Sequence, residues 1–265
     1  ACFELMEKQP LGNAVNIIGQ RLGDFRETEL YRVLSGAGVP MGMMLPSGTV
    51  VEEIRQAPAA RVNIVVNPIG LPLAEKMKQA FGTPYVLFDK YIDPEQIYRL
   101  YQELFAHLGL PVPDEVEDLY QQAIRAVAQA EGQLEGLTYI YGNTPIECFA
   151  FNAFMVGLGM RPLLIQTSQL PERDDPDRQR ILERCDPYVT KTANIAPLQY
   201  IYDVLRPNLY LGHEFAARLR EKGIEMVHSD RLSSMLGLEV TLAGVTELLR
   251  AGRAARALRE GRESA

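Results

Sequence analysis

An α/β protein of two domains, each a parallel sheet layered with helices and the pair joined by a long connecting helix, is what this sequence predicts. Short apolar runs alternate with capped, amphipathic segments. A polar stretch rich in Gln, Ala and Glu interrupts that rhythm in mid-chain, and the rhythm then resumes.

In the first half, residues 14–19 (AVNIIG) form an apolar run ending in Gly, as a buried parallel strand does. Asp24 is read as the N-cap of a helix over 25–35, with Leu30, Val33 and Leu34 on one face and Gly36 and Gly38 ending it. Residues 41–45 are a second strand, and Val50, Val51 and Ile54 belong to the helix that follows. Residues 62–66 (VNIVV) are the most β-branched run. A helix over 71–81, a strand over 85–88 and a helix opened by Asp93-Pro94 complete the half, with Asp as N-cap and Pro at the first helical position. Pro111 to Asp114 lead into the connecting helix, roughly 115–132. The second half is read as strands at 137–141, 162–166, 188–190, 209–212 and 224–227, with helices at 146–158, 195–205, 216–222 and 242–259 and another ending near Cys185. The domains are therefore 1–112 and 136–265, with 113–135 connecting them. Strict β–α alternation implies right-handed crossovers and Rossmann-like sheets, whose ligands sit where loops leave the C-terminal strand ends.

Composition narrows the function classes. The 265 residues carry a formal charge of −7, which disfavours nucleic acid or an anionic membrane as a partner. No apolar run reaches the roughly 20 residues of a membrane span, and the first residues lack a signal-peptide h-region. The 3 cysteines, Cys2, Cys148 and Cys185, are scattered and odd in number. That is neither a disulfide framework nor a metal knuckle, and a reducing cytoplasm is the expected setting. No G-x-G-x-x-G follows a strand and no G-x-S-x-G occurs, which disfavours nucleotide binding and serine hydrolysis.

Four places carry candidate chemistry. His228 follows a strand at the edge where an α/β site lies, and a neutral imidazole ligates iron or donates a proton; otherwise it is a loop histidine bonded to Asp230 or backbone. His213 follows the strand ending at Gly212 and heads a helix, which favours its neutral form; otherwise it is a surface histidine near a cap. Cys148 lies in a first helical turn, where the dipole favours a metal-ligating thiolate, although Glu147 opposes this and free cysteines are commonly small buried hydrophobes. The loop Gly142-Asn143-Thr144-Pro145 can present backbone amides to an anion. His107 and Cys185 read as structural, and the arginines of 250–262 as a solvated tail or a contact for an acidic partner.

Several segments in order carry a resemblance: Val15 to Gly19 followed by Leu34 to Val39; Phe81-Gly82-Thr83-Pro84-Tyr85 followed by Leu108-Gly109; Tyr141-Gly142-Asn143 followed by Leu158-Gly159-Met160; and Arg206 to Gly212 leading to Lys222-Gly223-Ile224. Together they resemble the nitrogenase component 1 family, which includes dark-operative protochlorophyllide reductases and cofactor-maturation scaffolds. The resemblance implies an oxidoreductase subunit. It would pair with a homologous component 1-type subunit and take electrons from a separate ATP-dependent iron–sulfur reductase protein. It also implies an iron–sulfur cluster or related metallocofactor in the full assembly, with none bound by this chain alone as the alternative. Family subunits have three such domains, and the one absent here supplies the cluster cysteines. Either Cys2 lies at the tail of that domain or the chain is a shortened homologue. Where a catalytic nitrogenase subunit anchors its cofactor through cysteine, this chain has Asn67, a poor ligand for thiophilic iron. The pattern around Met226-Val227-His228 matches the histidine that holds the other side. The Gly142–Thr144 loop matches a cofactor-contacting region. The loss of the anchoring cysteine makes a non-catalytic scaffold or pairing subunit the competing reading. A hinged small-molecule binding protein is the third.

Overall fold

The computed structural model describes residues 2–20, 23–46, 48–142, 144, 147–168, 170–191 and 198–263. The chain forms two compact units, Ala1–Ala123 with Ser234–Val240, and Ile124–Ser233 with Thr241–Ala265. The α/β fold with two parallel sheets read from the sequence is the one observed.

In the first unit the strands β1 (Val15–Ile18), β2 (Met41–Leu45), β3 (Val62–Val65) and β4 (Tyr85–Leu87) form a parallel sheet in the order β2-β1-β3-β4. Strands β1 and β3 are buried throughout, as expected of strands covered on both faces. Helices α1 (Glu29–Gly36), α2 (Val51–Gln56), α3 (Leu71–Phe81) and α4 (Pro94–Leu108) accompany them, and α5 (Asp114–Ala130) follows. In α4 the Asp93 carboxylate accepts from Glu95 N at 3.0 Å, Pro94 occupies the first turn and Gly109 closes the helix in the left-handed region. The single helix expected from Phe25 is instead two pieces. Asp24 caps a 3-10 turn, Phe25–Glu27, and extended Thr28 then starts α1 by accepting from Tyr31 N at 3.2 Å. A second good N-cap within the segment breaks it.

Polar atoms inside this sheet are paired through one side chain. Asn16 Nδ2 donates to Asn63 Oδ1 at 2.8 Å and to Ala57 O at 2.9 Å. Its Oδ1 accepts from Met43 N at 3.0 Å, where the β1–β2 register shifts. Asn16→Leu strands three buried partners at once, so a loss of about 2–3 kcal/mol in urea unfolding is expected.

In the second unit β5 (Thr138–Gly142), β6 (Arg161–Gln166), β7 (Tyr188–Thr190), β8 (Leu209–Gly212) and β9 (Glu225–Val227) are parallel in the order β7-β6-β5-β8-β9. Helices α6 (Cys148–Gly157), α7 (Asp175–Leu182), α8 (Leu198–Leu205) and α9 (Ala216–Glu221) connect them, and α10 (Glu239–Glu263) closes the chain. Helix α6 is buried on nearly every side and apolar all round, unlike the amphipathic α8.

Candidate functional site

Each sheet has a topological switch point, because the chain leaves its first strand toward one edge and later returns on the other side of it. In the first unit that crevice lies at the C-terminal ends of β1 and β3, and in the second at the ends of β5 and β8.

At the second switch point Gly142 and Gly212 face each other in register. Gly212 has φ 139°, and a Cβ there would lie 2.6 Å from Gly142 O. A Cβ on Gly142 would overlap the Tyr210 hydroxyl. Bare backbone is therefore required on both strands, and it leaves the crevice floor without side chains. Beneath it, Tyr210 and Tyr202 are 0% and 1% exposed, their rings 5.6 Å apart at 74°. Neither hydroxyl makes a well-formed hydrogen bond. Burial raises the pKa of both phenols, so both stay protonated.

Thr144 sits over the end of β5, its hydroxyl 2.6 Å from the Tyr141 hydroxyl, and both residues are buried. Asn143 lies outside the described residues. Cys148 opens α6. Burial pushes its thiol up to about 12, with the charges of Glu147 and Asp174 acting the same way and a hydrogen bond with Thr167 opposing. Desolvation outweighs the helix dipole here, so the sulfur is a protonated thiol at neutral pH and a poor iron ligand in that state. Asn152 Nδ2 donates to Cys148 O at 2.8 Å, and Tyr139 donates to Asn152 Oδ1 at 2.9 Å, so the start of α6 is tied to β5.

His213 and His228 follow neighbouring strands whose register pairs Leu211 with Val227. Both are exposed. His213 Nδ1 lies 3.5 Å from Asp230 Oδ1, and the backbone N–H of His228 donates to Glu247 Oε1 at 2.6 Å. Arg250 organises this corner. It donates to Glu247 at 2.8 Å through both Nε and Nη2, to Glu225 Oε1 at 3.0 Å and to Met226 O at 2.9 Å. Arg250 therefore does not belong to a solvated tail, as its sequence context suggested. The i,i+3 spacing to Glu247 was a legible signal, but the match to Glu225 was not. Burial works against ionisation of Glu225, yet its bonds to Arg220 and Arg250 win and lower its pKa. Its stabilising effect is therefore present above the unfolded carboxylate value and is lost as pH falls through the lower folded value. Arg250→Ala is expected to cost about 1–2 kcal/mol, after allowing for solvent screening of a part-exposed guanidinium, and to loosen the backbone at His228. Urea unfolding and amide exchange at His228 check this.

At the first switch point Asn67 follows β3, but its Oδ1 is engaged locally, accepting from Ile69 N at 3.1 Å to cap the turn Pro68–Gly70. Apolar Val50 and Val51 at the start of α2 and Ile69 in the turn after β3 are exposed. Beyond β4, Asp89 and Lys90 are 5% and 2% exposed, two buried ionisable residues that sequence reasoning missed, with the Lys90 backbone N–H donating to Asp89 Oδ1 at 2.8 Å. The signal available was two charges directly after an apolar strand, before the helix cap at Asp93.

Among the described residues, no group of three or more His, Cys, Asp or Glu side chains is arranged to hold a metal ion, and no helix is long and apolar enough to cross a membrane. Against known proteins, residues 2–251 match the sequence profile of the nitrogenase component 1 type oxidoreductases. The chain belongs to that family. One subunit of the light-independent protochlorophyllide reductase of Synechocystis sp. is 30% identical over 124 residues, 44% of this chain and 24% of that protein. The corresponding subunit from Huperzia lucidula is 33% identical over 130 residues, 44% of this chain and 25% of that protein. A nitrogenase Cp1 structure at pH 6.5 superposes with a TM-score of 0.75 at 15% identity, covering 93% of this chain and 61% of that one. At that identity the superposition speaks for the fold alone. The matched stretches span about a quarter of those reductase subunits.

Proposed function

We propose that this chain is the ligand-binding part of a component 1-type oxidoreductase subunit. It would work in a cytoplasmic homo- or hetero-oligomer with a homologous subunit and receive electrons from an ATP-dependent iron–sulfur reductase protein. The observation that carries this reading is the family match over residues 2–251. The substrate or organic cofactor would rest at the bare switch-point floor of the second unit, against Gly142 and Thr144; Asn67, at the switch point of the first unit, is a separate candidate contact. His213, steadied by Asp230, and His228 would supply protons as electrons arrive from the reductase. The protochlorophyllide of the relatives' name is the first substrate to try, and the exposed Val50, Val51 and Ile69 suit an apolar macrocycle.

An iron–sulfur cluster does not fit the side chains described here. Cluster sulfur ligands must be thiolates converging in number. No other Cys, His or carboxylate among the described residues completes a set with Cys148. Cluster ligation in the assembly is therefore assigned to residues beyond these, and Cys148 enters this reading as an orienting thiol beside Thr167.

The test is anaerobic reconstitution with the genomic-neighbour reductase and partner subunit, following ATP-dependent oxidation of the reductase and reduction of protochlorophyllide. His213→Ala and His228→Ala are each expected to lower turnover by about 10²-fold, with little change in binding. Full turnover in both variants, or no electron uptake by the parent complex, sinks the proposal. The scaffold reading is favoured by Asn67 in place of a cysteine. It predicts instead a bound cofactor precursor with no turnover, read by metal analysis of the chain alone and with its partner.

A further inference from the structure

We propose that the second unit carries an oxyanion-binding cleft at the N-terminal ends of its strands, opposite the switch point. A cleft of about 630 Å³ is lined by Tyr202, Asp203, Arg206, Lys222 and Arg259, among others. Arg206 and Pro207 lead into β8, and Lys222 and Gly223 lead toward β9, so the cleft lies at the strand ends remote from Gly212 and His228. Three cations face two carboxylates there, Asp203 and Glu221. Lys222 is spoken for, its Nζ 2.5 Å from Asp203 Oδ1. The guanidinium groups are engaged only with backbone. Arg206 Nε donates to Asp203 O at 3.2 Å and Arg259 Nη2 to Arg206 O at 3.4 Å. Among the described residues neither is paired with a carboxylate, so each keeps donors for a planar, bidentate acceptor.

Backbone strain marks the same residue. Arg206 is the only non-glycine with positive φ among the described residues, at 47°. It closes α8, its N–H donating to Tyr202 O at 3.0 Å, in a position where glycine carries no steric cost. An arginine that bears this strain while its guanidinium lines a cleft and lacks an acidic partner is accounted for by a ligand that uses the charge. The ligand class is a multiply charged oxyanion, a phosphate ester or a polycarboxylate, accepted by Arg206 and Arg259 together.

Calorimetric titration of the full chain with pyrophosphate, and in a second arm with citrate, at constant ionic strength tests this. Saturable one-to-one binding is expected, at least tenfold weaker in Arg206→Gly and in Arg259→Gln and unchanged in Arg256→Gln, an exposed change outside the cleft. The tighter of the two anions assigns the ligand as phosphate or carboxylate. Arg206→Gly relieves the strained backbone, so it should melt no lower than the parent, and its loss of binding cannot be put down to misfolding. Titration without saturation overturns the proposal, as does equal weakening by Arg256→Gln, or an Arg206→Gly protein with full affinity.

Discussion

Glu29→Ala is expected to lower the unfolding free energy by about 3–5 kcal/mol, the largest single effect in the first unit. Glu29 is 1% exposed and serves as a remote cap for α10. Its Oε1 accepts from Leu238 N at 2.9 Å and from the Tyr101 hydroxyl at 2.8 Å, and its Oε2 accepts from Glu239 N at 2.6 Å. Alanine leaves all three donors buried without an acceptor. Glu29→Gln restores one acceptor but turns an amide N–H toward a backbone N–H, so an intermediate loss of about 1–2 kcal/mol is expected. The pH dependence has a definite sign. Burial raises the carboxyl of Glu29 above its ordinary value, against the backbone and Tyr101 hydrogen bonds, which lower it. Its contribution is fully present below the unfolded value of 4.5 and declines as pH rises through the raised folded value. Urea unfolding across pH 4–8 should therefore show a decline in the parent that Glu29→Gln lacks.

Gly142→Ala should cost about 2–4 kcal/mol in the second unit and disable the switch point, because the new methyl group takes the place of the Tyr210 hydroxyl. Tyr210→Phe alone is expected to be neutral, or to stabilise by up to about 1 kcal/mol, since it removes a buried hydroxyl that makes no well-formed hydrogen bond among the described residues. The double variant should recover only part of what Gly142→Ala loses, because the ring carbon Cζ would still lie 2.6 Å from the new methyl group. The coupling between the two changes, measured as a double-mutant cycle in urea, is the decisive quantity. Simple additivity would mean that the floor of the crevice is not set by this contact.

The elements most legible in the sequence were those specified by neighbouring residues. Asp93-Pro94 and Gly109 bracket α4 through their own backbone preferences, and residues 71–81 carry a helix bounded by Gly at both ends. Residues 62–65 read as a strand because Val62, Ile64 and Val65 suit a two-sided sheet. The switch-point glycines and both loop histidines were also visible, since they follow apolar strands directly. Less legible was anything set by a partner far along the chain. Helix α10 begins at Glu239, earlier than its apolar pattern suggests, because a carboxylate 210 residues away satisfies its first amides. Cys148 sits at a helix start that favours ionisation, with Glu147 already opposing it in the sequence; the burial that contributes most to keeping it a thiol was not legible there. Arg250 looked like one solvated arginine among several until β9 brought Glu225 beneath it.

From the sequence alone followed the class of fold, the order of its strands and helices, and the family resemblance, because short-range periodicity, caps and turn residues act within a few positions of one another. The state of each candidate group was decided by the tertiary structure alone. Desolvation and charge pairing depend on which distant side chains share a small volume, and a carboxylate, thiol or guanidinium changes its chemistry with that company.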